Sequence, residues 1–179
     1  MTYKESLTQA MSELARDPLV RFIGYGVRVG GRAAGTLAGV PESQLIETPV
    51  AENLMVGLAT GMALSGLRPV VYIERMDFIL NAMDAIVNHL DKIDVLSQGL
   101  FRPSVILRVV VGNKNKPLFT GVTHTQDFLG AIASMVSFPV VGLSQQDQIQ
   151  PQYRLAHETI SAAGAGRKSC MLVEYKDLI

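Results

Sequence analysis

Apolar runs of strand length alternate along the chain with segments whose apolar residues recur at helical spacing. Leu7, Met11 and Leu14 define a first helix, which Asp17-Pro18 ends. Residues 20–25 read as a short buried strand. A glycine-rich stretch follows, with a helical turn expected near Arg32 to Thr36. A second strand is expected at 44–47, a largely apolar helix at 51–65 and a third strand at 70–74. One long helix is expected from Phe78 to about Leu96, with Ile79, Met83, Ile86 and Leu90 turned inward. Pro103 opens a strong strand at 104–111, and a loop from Gly112 runs irregularly to Thr123. Helix 126–136, strand 139–143, helix 151–163 and strand 169–175 complete the pattern. Near-continuous apolar strands that alternate with helices belong in a parallel sheet covered on both faces. The expected fold is a three-layer α/β/α domain with a mostly parallel sheet of about six strands. No repeat, low-complexity tract or linker interrupts the pattern, so residues 1–179 read as a single domain.

Composition narrows the class. Hydrophobic residues make up 48% of the chain and the formal net charge is zero, which gives no electrostatic reason to expect nucleic acid or an anionic membrane as partner. The longest apolar run, Leu54 to Leu67, contains glycines and small polar residues and is too short to span a bilayer. Residues 1–5 are polar and lack the core of a signal peptide. A single cysteine, Cys170, excludes an internal disulfide and suits a reducing cytoplasm. Its place at the start of the last strand predicts a buried, inert thiol. The chain is rather apolar for a small monomer, so part of its surface is expected to be covered by another subunit. Gly57, Gly61 and Ser65 recur every four residues on the apolar helix, which lets one face approach another backbone closely.

Candidate chemistry is sparse. Gly24-Tyr25-Gly26 follows a strand, but Val29 stands where a dinucleotide fingerprint needs its third glycine, so the pair reads as turn chemistry. The phosphate-loop lysine motif, zinc spacings and a nucleophile elbow are absent from the sequence. His89 reads as a satisfied helix histidine and His157 as a solvated one. His124 follows a loop beyond a strand end, where α/β sheets place ligands, and histidine titrates near neutrality. Glu52 is the odd carboxylate of the apolar helix, in its first turn. Its plainest role there is a favourable interaction with the helix dipole in water. If buried, it must be paired or neutralised.

The segment Glu47-Thr48-Pro49-Val50-Ala51-Glu52, followed by Val56-Gly57 and Ala59-x-Gly61, resembles the pyrimidine-domain motif of thiamine-diphosphate enzymes. It is most similar to the beta subunits of pyruvate and branched-chain 2-oxo acid dehydrogenases, and transketolases share a looser form. The resemblance continues through Ser65-Gly66-Leu67-Arg68-Pro69, Phe78, Ala82-Met83-Asp84, Ile86-Val87-Asn88-His89 and Lys92, and it includes the first eleven residues.

This resemblance implies a role for particular residues. Glu52 corresponds to the glutamate that hydrogen-bonds the aminopyrimidine ring and exchanges a proton there, while the coenzyme does the covalent work. Phe78 corresponds to the aromatic that stacks on the pyrimidine. His124 corresponds to a histidine near the reacting carbon, able to bind a substrate carboxylate or carbonyl or to move a proton. Leu54 and Met55 are expected to line the pyrimidine pocket.

Some features depart from the family pattern. An acidic residue often follows the first strand's glycine in the family; here that place is Tyr25-Gly26. Lys114 and Lys116 make the loop before His124 unusual, and they could meet an anionic substrate, a partner surface or only solvent. Gly-Asp-Gly followed by Asn-Asn, which holds the diphosphate and its magnesium in a companion domain, is not found, nor is the usual carboxy-terminal domain. The expectation is therefore half of a coenzyme site, completed by a separate diphosphate-binding chain in a heterotetramer. Its substrate would be a 2-oxo acid, decarboxylated with transfer of the acyl or aldehyde unit. Two alternatives remain: a transketolase-like carboligase or ketol transferase subunit, and a non-catalytic regulatory domain that keeps the fold.

Overall fold

Thr2 starts the first helix, α1 (Tyr3–Leu14), by accepting from the Glu5 N–H at 3.2 Å, while the Glu5 carboxylate accepts from the Thr2 N–H at 2.7 Å. In the computed structural model, which describes residues 1–118 and 121–179, the chain then alternates strand and helix. The elements are β1 (Val20–Gly24), β2 (Leu45–Glu47), α2 (Glu52–Leu64), β3 (Arg68–Ile73), α3 (Ile93–Leu96), β4 (Ile106–Val111), α4 (Leu129–Ala133), β5 (Val140–Gly142), α5 (Gln146–Ser161) and β6 (Cys170–Tyr175). Six strands form one sheet in the order β2-β1-β3-β4-β6-β5, with every pairing parallel. The expected three-layer architecture is correct.

Strand parity divides the core into two. Val70 and Tyr72 of β3 join α1, α5 and the 25–44 connection on one face. Val71 and Ile73 join α2, the 76–90 segment and α4 on the other. The connection from β1 to β2 leaves in one direction, and α2 carries the chain back past β1 to β3. The β1/β3 boundary is thus the switch point, where open α/β sheets bind ligands beyond their carboxyl ends.

Several helices differ from the sequence pattern. The segment expected as one helix from Phe78 to Leu96 is a 3-10 helix at Met76–Ala82, a π-helix at Ala85–Leu90 and the short α3. The wider π turn is sealed by the Asp91 N–H donating to Ile86 O at 3.0 Å, and it keeps Ile86 and Leu90 in the same core as Ile79. Helix 126–136 shrinks to α4, because the Asp127 carboxylate caps the Leu129 N–H at 3.0 Å and the residues before it are engaged elsewhere. α5 begins five residues before Pro151 with a Gln145–Gln148 capping box, so the proline lies inside the helix rather than at its start. The turn near Arg32 to Thr36 is left-handed: Arg32, Ala33 and Ala34 have φ of 44°, 50° and 57°. Positions 119 and 120 of the irregular stretch expected before Thr123 lie outside the described residues.

Cys170 is buried as expected, and burial pushes its thiol up to about 12. His157 is only partly exposed, not simply solvated. Its Nε2 lies 2.8 Å from Asp17 Oδ2, an oxygen that Arg68 also reaches. Burial alone would raise the Asp17 carboxyl, but the Leu19 N–H, Arg68 and His157 outweigh it and hold the group below the ordinary carboxylate range. A depressed carboxyl adds stability that is complete above its unfolded value and is lost as pH falls through the folded one. Wild-type protein should therefore lose this increment on acidification below about pH 4. Asp17→Asn should be less stable at pH 7 and show a shallower acid limb in denaturant titrations across that range.

Candidate functional site

β2 ends where the Thr48 N–H donates to Gly24 O at 3.1 Å, and Pro49 turns the chain into α2. Glu52 is the acidic residue of the first turn, and Ala51 before it provides no side-chain cap. The Glu52 residue is only 4% exposed, and no hydrogen bond or ion pair from the described residues reaches its carboxylate. A buried carboxylate without a partner is costly, and a helix N-terminus only partly offsets that cost. The Thr48 hydroxyl, four residues earlier, is also buried without a partner. Two polar groups at the β2–α2 junction thus keep hydrogen-bonding capacity that the described residues do not use.

Phe78 and His124 are brought together from the segments that precede and follow β4 in the chain. Their rings meet edge to face with centroids 5.2 Å apart and planes at 86°. The Thr123 hydroxyl lies 3.1 Å from His124 Nδ1. Around them the two segments are laced together. The Asp77 carboxylate accepts from Gln126 Nε2 at 2.8 Å, and the Phe128 N–H donates to Met76 Sδ at 2.9 Å. Asp77 Oδ2 is buried without a partner among the described residues.

The backbone of His124 crosses the end of β4 at Gly112, where an added Cβ would stand 1.7 Å from the His124 carbonyl oxygen. Only glycine permits this approach. Gly112→Ala should therefore displace the 121–126 segment. The expected outcome is loss of the Phe78–His124 ring contact, seen as altered ring-proton shifts of both residues, with a destabilisation of about 1–3 kcal/mol in denaturant titrations. Sequence reasoning missed Asp77 and Gly112. A glycine directly after an apolar strand was the available signal for the second; nothing distinguished the first.

The other candidates are placed as follows. Met55 shares the buried side of α2 with Glu52 and is enclosed in the core. Leu54 is 54% exposed on the outward side, away from Glu52. Lys114 and Lys116 are exposed. His89 is exposed, with Nε2 3.4 Å from Asp84 Oδ2. Tyr25 is exposed at the end of β1, but the loop behind it does hold an acid, supplied by β2. Glu47 accepts from the N–H groups of Gly26 at 2.6 Å, Arg28 at 2.7 Å and Val29 at 3.3 Å. Among the described residues no group of His, Cys, Asp and Glu is arranged to hold a metal ion. No helix there is long and apolar enough to cross a membrane.

Comparisons with known proteins bear on this geometry. The family model described as "Transketolase, pyrimidine binding domain" matches residues 1–104, a stretch that contains Glu52 and Phe78. The mitochondrial pyruvate dehydrogenase E1 component subunit beta of Saccharomyces cerevisiae is 35% identical over 133 residues, covering 72% of this chain and 36% of the relative. The corresponding subunit of Chaetosphaeridium globosum is 35% identical over 145 residues, covering 78% and 44%. The chain thus spans less than half the length of these curated relatives. Among solved structures, a split-gene transketolase, described as an inactive beta4 tetramer, superposes with a TM-score of 0.72 at 14% identity, covering 98% of this chain and 52% of that one. A Rhodococcus jostii thiamine diphosphate-dependent 4-hydroxybenzoylformate decarboxylase gives 0.68 at 14% identity, covering 96% and 30%, and both likenesses concern the fold. With more than half of its residues matched by that model, the chain belongs to the transketolase pyrimidine-binding domain family.

Proposed function

We propose that this chain is the pyrimidine-binding subunit of a two-component thiamine-diphosphate enzyme acting on a 2-oxo acid. The observation that carries the reading is Glu52, a residue 4% exposed in the first turn of α2 whose carboxylate takes no hydrogen bond or ion pair from the described residues. It fits an aminopyrimidine, whose ring nitrogen offers a site for an acid to share a proton. Thiamine diphosphate, when bound, supplies the nucleophile and electron sink for decarboxylation. Glu52 holds the pyrimidine and exchanges a proton at its ring nitrogen. Phe78 offers a flat apolar ring as a stacking surface. His124, fixed against Phe78, binds the substrate carboxylate or carbonyl, or moves a proton during release of the transferred unit.

The diphosphate and Mg2+ fall to a separate chain, and a heterotetramer pairs two of each. Supporting this, Leu54, Leu58 and Leu64 of α2 and Val50 just before it are exposed, while the space above Gly57 and Gly61 is open. Val95, Leu96, Leu100 and Phe101 are exposed as well. Exposed apolar side chains of this kind support a subunit contact. The buried thiol of Cys170 favours a reducing compartment, the cytoplasm.

The test is reconstitution. The chain alone should show no turnover on a panel of 2-oxo acids. Together with a Gly-Asp-Gly…Asn-Asn polypeptide from the same source it should gain thiamine-diphosphate-dependent decarboxylation, whose acceptor preference separates acyl transfer from ketol transfer. Turnover by the chain alone, or a complex that binds no coenzyme, contradicts the reading.

A further inference from the structure

A cleft of 490 Å³ opens at the β1/β3 switch point, on the face of the sheet opposite α2. Its wall is formed by Tyr25 and Gly26 at the end of β1, Tyr72 and Glu74 at the end of β3, the small residues of the 29–34 turn, and Lys176 just beyond β6. None of Glu52, Phe78 and His124 lines it. We infer that this cleft is a second ligand site, selective for a small oxyanion, a carboxylate or phosphate, attached to a flat body.

The charge arrangement carries the oxyanion. Lys176 is half-buried, and no hydrogen bond or ion pair reaches its ammonium among the described residues. Burial, with Arg75 and Lys4 adding positive charge, holds it below the ordinary lysine value, and Glu74 only partly opposes this. The Glu74 carboxylate is itself engaged by Arg75 Nη1 at 3.2 Å. Lys4 rests against the far side of the turn, its Nζ 3.3 Å from the position a Cβ would take on Gly35. Three cations thus act at this end of the sheet beside two acids, Glu74 engaged by Arg75 and Glu47 by loop amides, which leaves the Lys176 ammonium to meet an incoming anion. The flat body follows from the wall. Gly30, Gly31, Ala33 and Ala34 present only backbone and methyl groups, and Tyr25 and Tyr72 line the same cleft. Glu47 keeps this wall in place by engaging three amides of the loop.

Titrating the full chain with inorganic phosphate and with phenyl phosphate at low ionic strength, followed by amide NMR, tests the assignment. Sodium chloride of equal ionic strength is the control. Saturable shifts should appear at Tyr25, Gly26, Gly30 and Gly31, with phenyl phosphate binding more tightly than phosphate. Lys176→Met should weaken binding roughly tenfold, Lys176→Arg should restore most of it, and Glu74→Gln should strengthen it. Glu52→Gln should leave it unchanged, which keeps this site separable from the coenzyme reading. Shifts that survive Lys176→Met, weakening by Glu74→Gln, or shifts centred on Lys114 and Lys116 overturn the assignment. Loss of phosphate binding when the diphosphate-binding chain is added shows that a protein side chain fills the cleft, which also overturns it.

Discussion

Glu52→Gln in the assembled enzyme slows turnover by roughly 10²–10⁴-fold, the range of a positioned acid–base group, and does not unfold the chain. Glutamine keeps the volume of the glutamate and its capacity to hydrogen-bond, but it cannot give or accept the proton. Stability provides the discriminating second readout. Glu52 is 4% exposed and no hydrogen bond or ion pair from the described residues reaches its side chain, so glutamine breaks no contact of the free chain. The free variant should melt at the same temperature as wild type or higher, while the assembled variant loses proton exchange on the coenzyme. Unchanged turnover counts directly against the mechanism. A lowered melting temperature with unchanged turnover makes Glu52 a structural residue.

The largest stability effect should come from a position remote from that chemistry. Arg108 of β4 and Glu174 of β6 are 1% and 0% exposed in their side chains. Arg108 Nε donates to one Glu174 oxygen at 2.7 Å, and Nη2 donates to the other at 2.9 Å. Arg108 Nη2 also reaches the Thr36 hydroxyl at 2.8 Å, and the Tyr153 hydroxyl donates to Glu174 at 2.5 Å. Tyr72 lies beneath the guanidinium, 5.0 Å from Cζ to ring centroid. Arg108 Nη1 is buried without a partner among the described residues. Glu174→Ala leaves a buried cation uncompensated and should cost about 3–5 kcal/mol in urea titrations. The double variant Arg108→Met, Glu174→Leu removes both charges and should recover most of that loss. A single variant that unfolds at the wild-type urea concentration would show that the pair contributes little.

The strands were legible because a sheet buried on both faces imposes continuous apolar runs, and 104–111 and 169–175 are such runs. Helix boundaries were less legible, since tertiary partners set them. The Asp127 cap and the Met76–Phe128 contact shorten α4, and Pro151 looked like a helix start although a capping box lies upstream. Glu52, Phe78 and His124 were found through family likeness. Their residue types and spacing alone favoured plainer roles. The contact between Phe78 and His124 joins segments 46 positions apart, a distance no local pattern encodes. Arg108 and Glu174 each sit in an apolar strand as a lone charge, and pairing between β4 and β6 places them on adjacent strands facing the same side. The sequence has Tyr25-Gly26 where the family often has an acid after the first strand's glycine, and only the fold shows Glu47 of the neighbouring strand engaging the Gly26 amide.

A crystal structure of the complete assembly with thiamine diphosphate bound tests the central claim most directly. The account predicts the Glu52 carboxyl group within hydrogen-bonding distance of the aminopyrimidine ring and the diphosphate held by the other chain. A coenzyme bound entirely within one polypeptide, or a Glu52 side chain turned away from the ring, would contradict it.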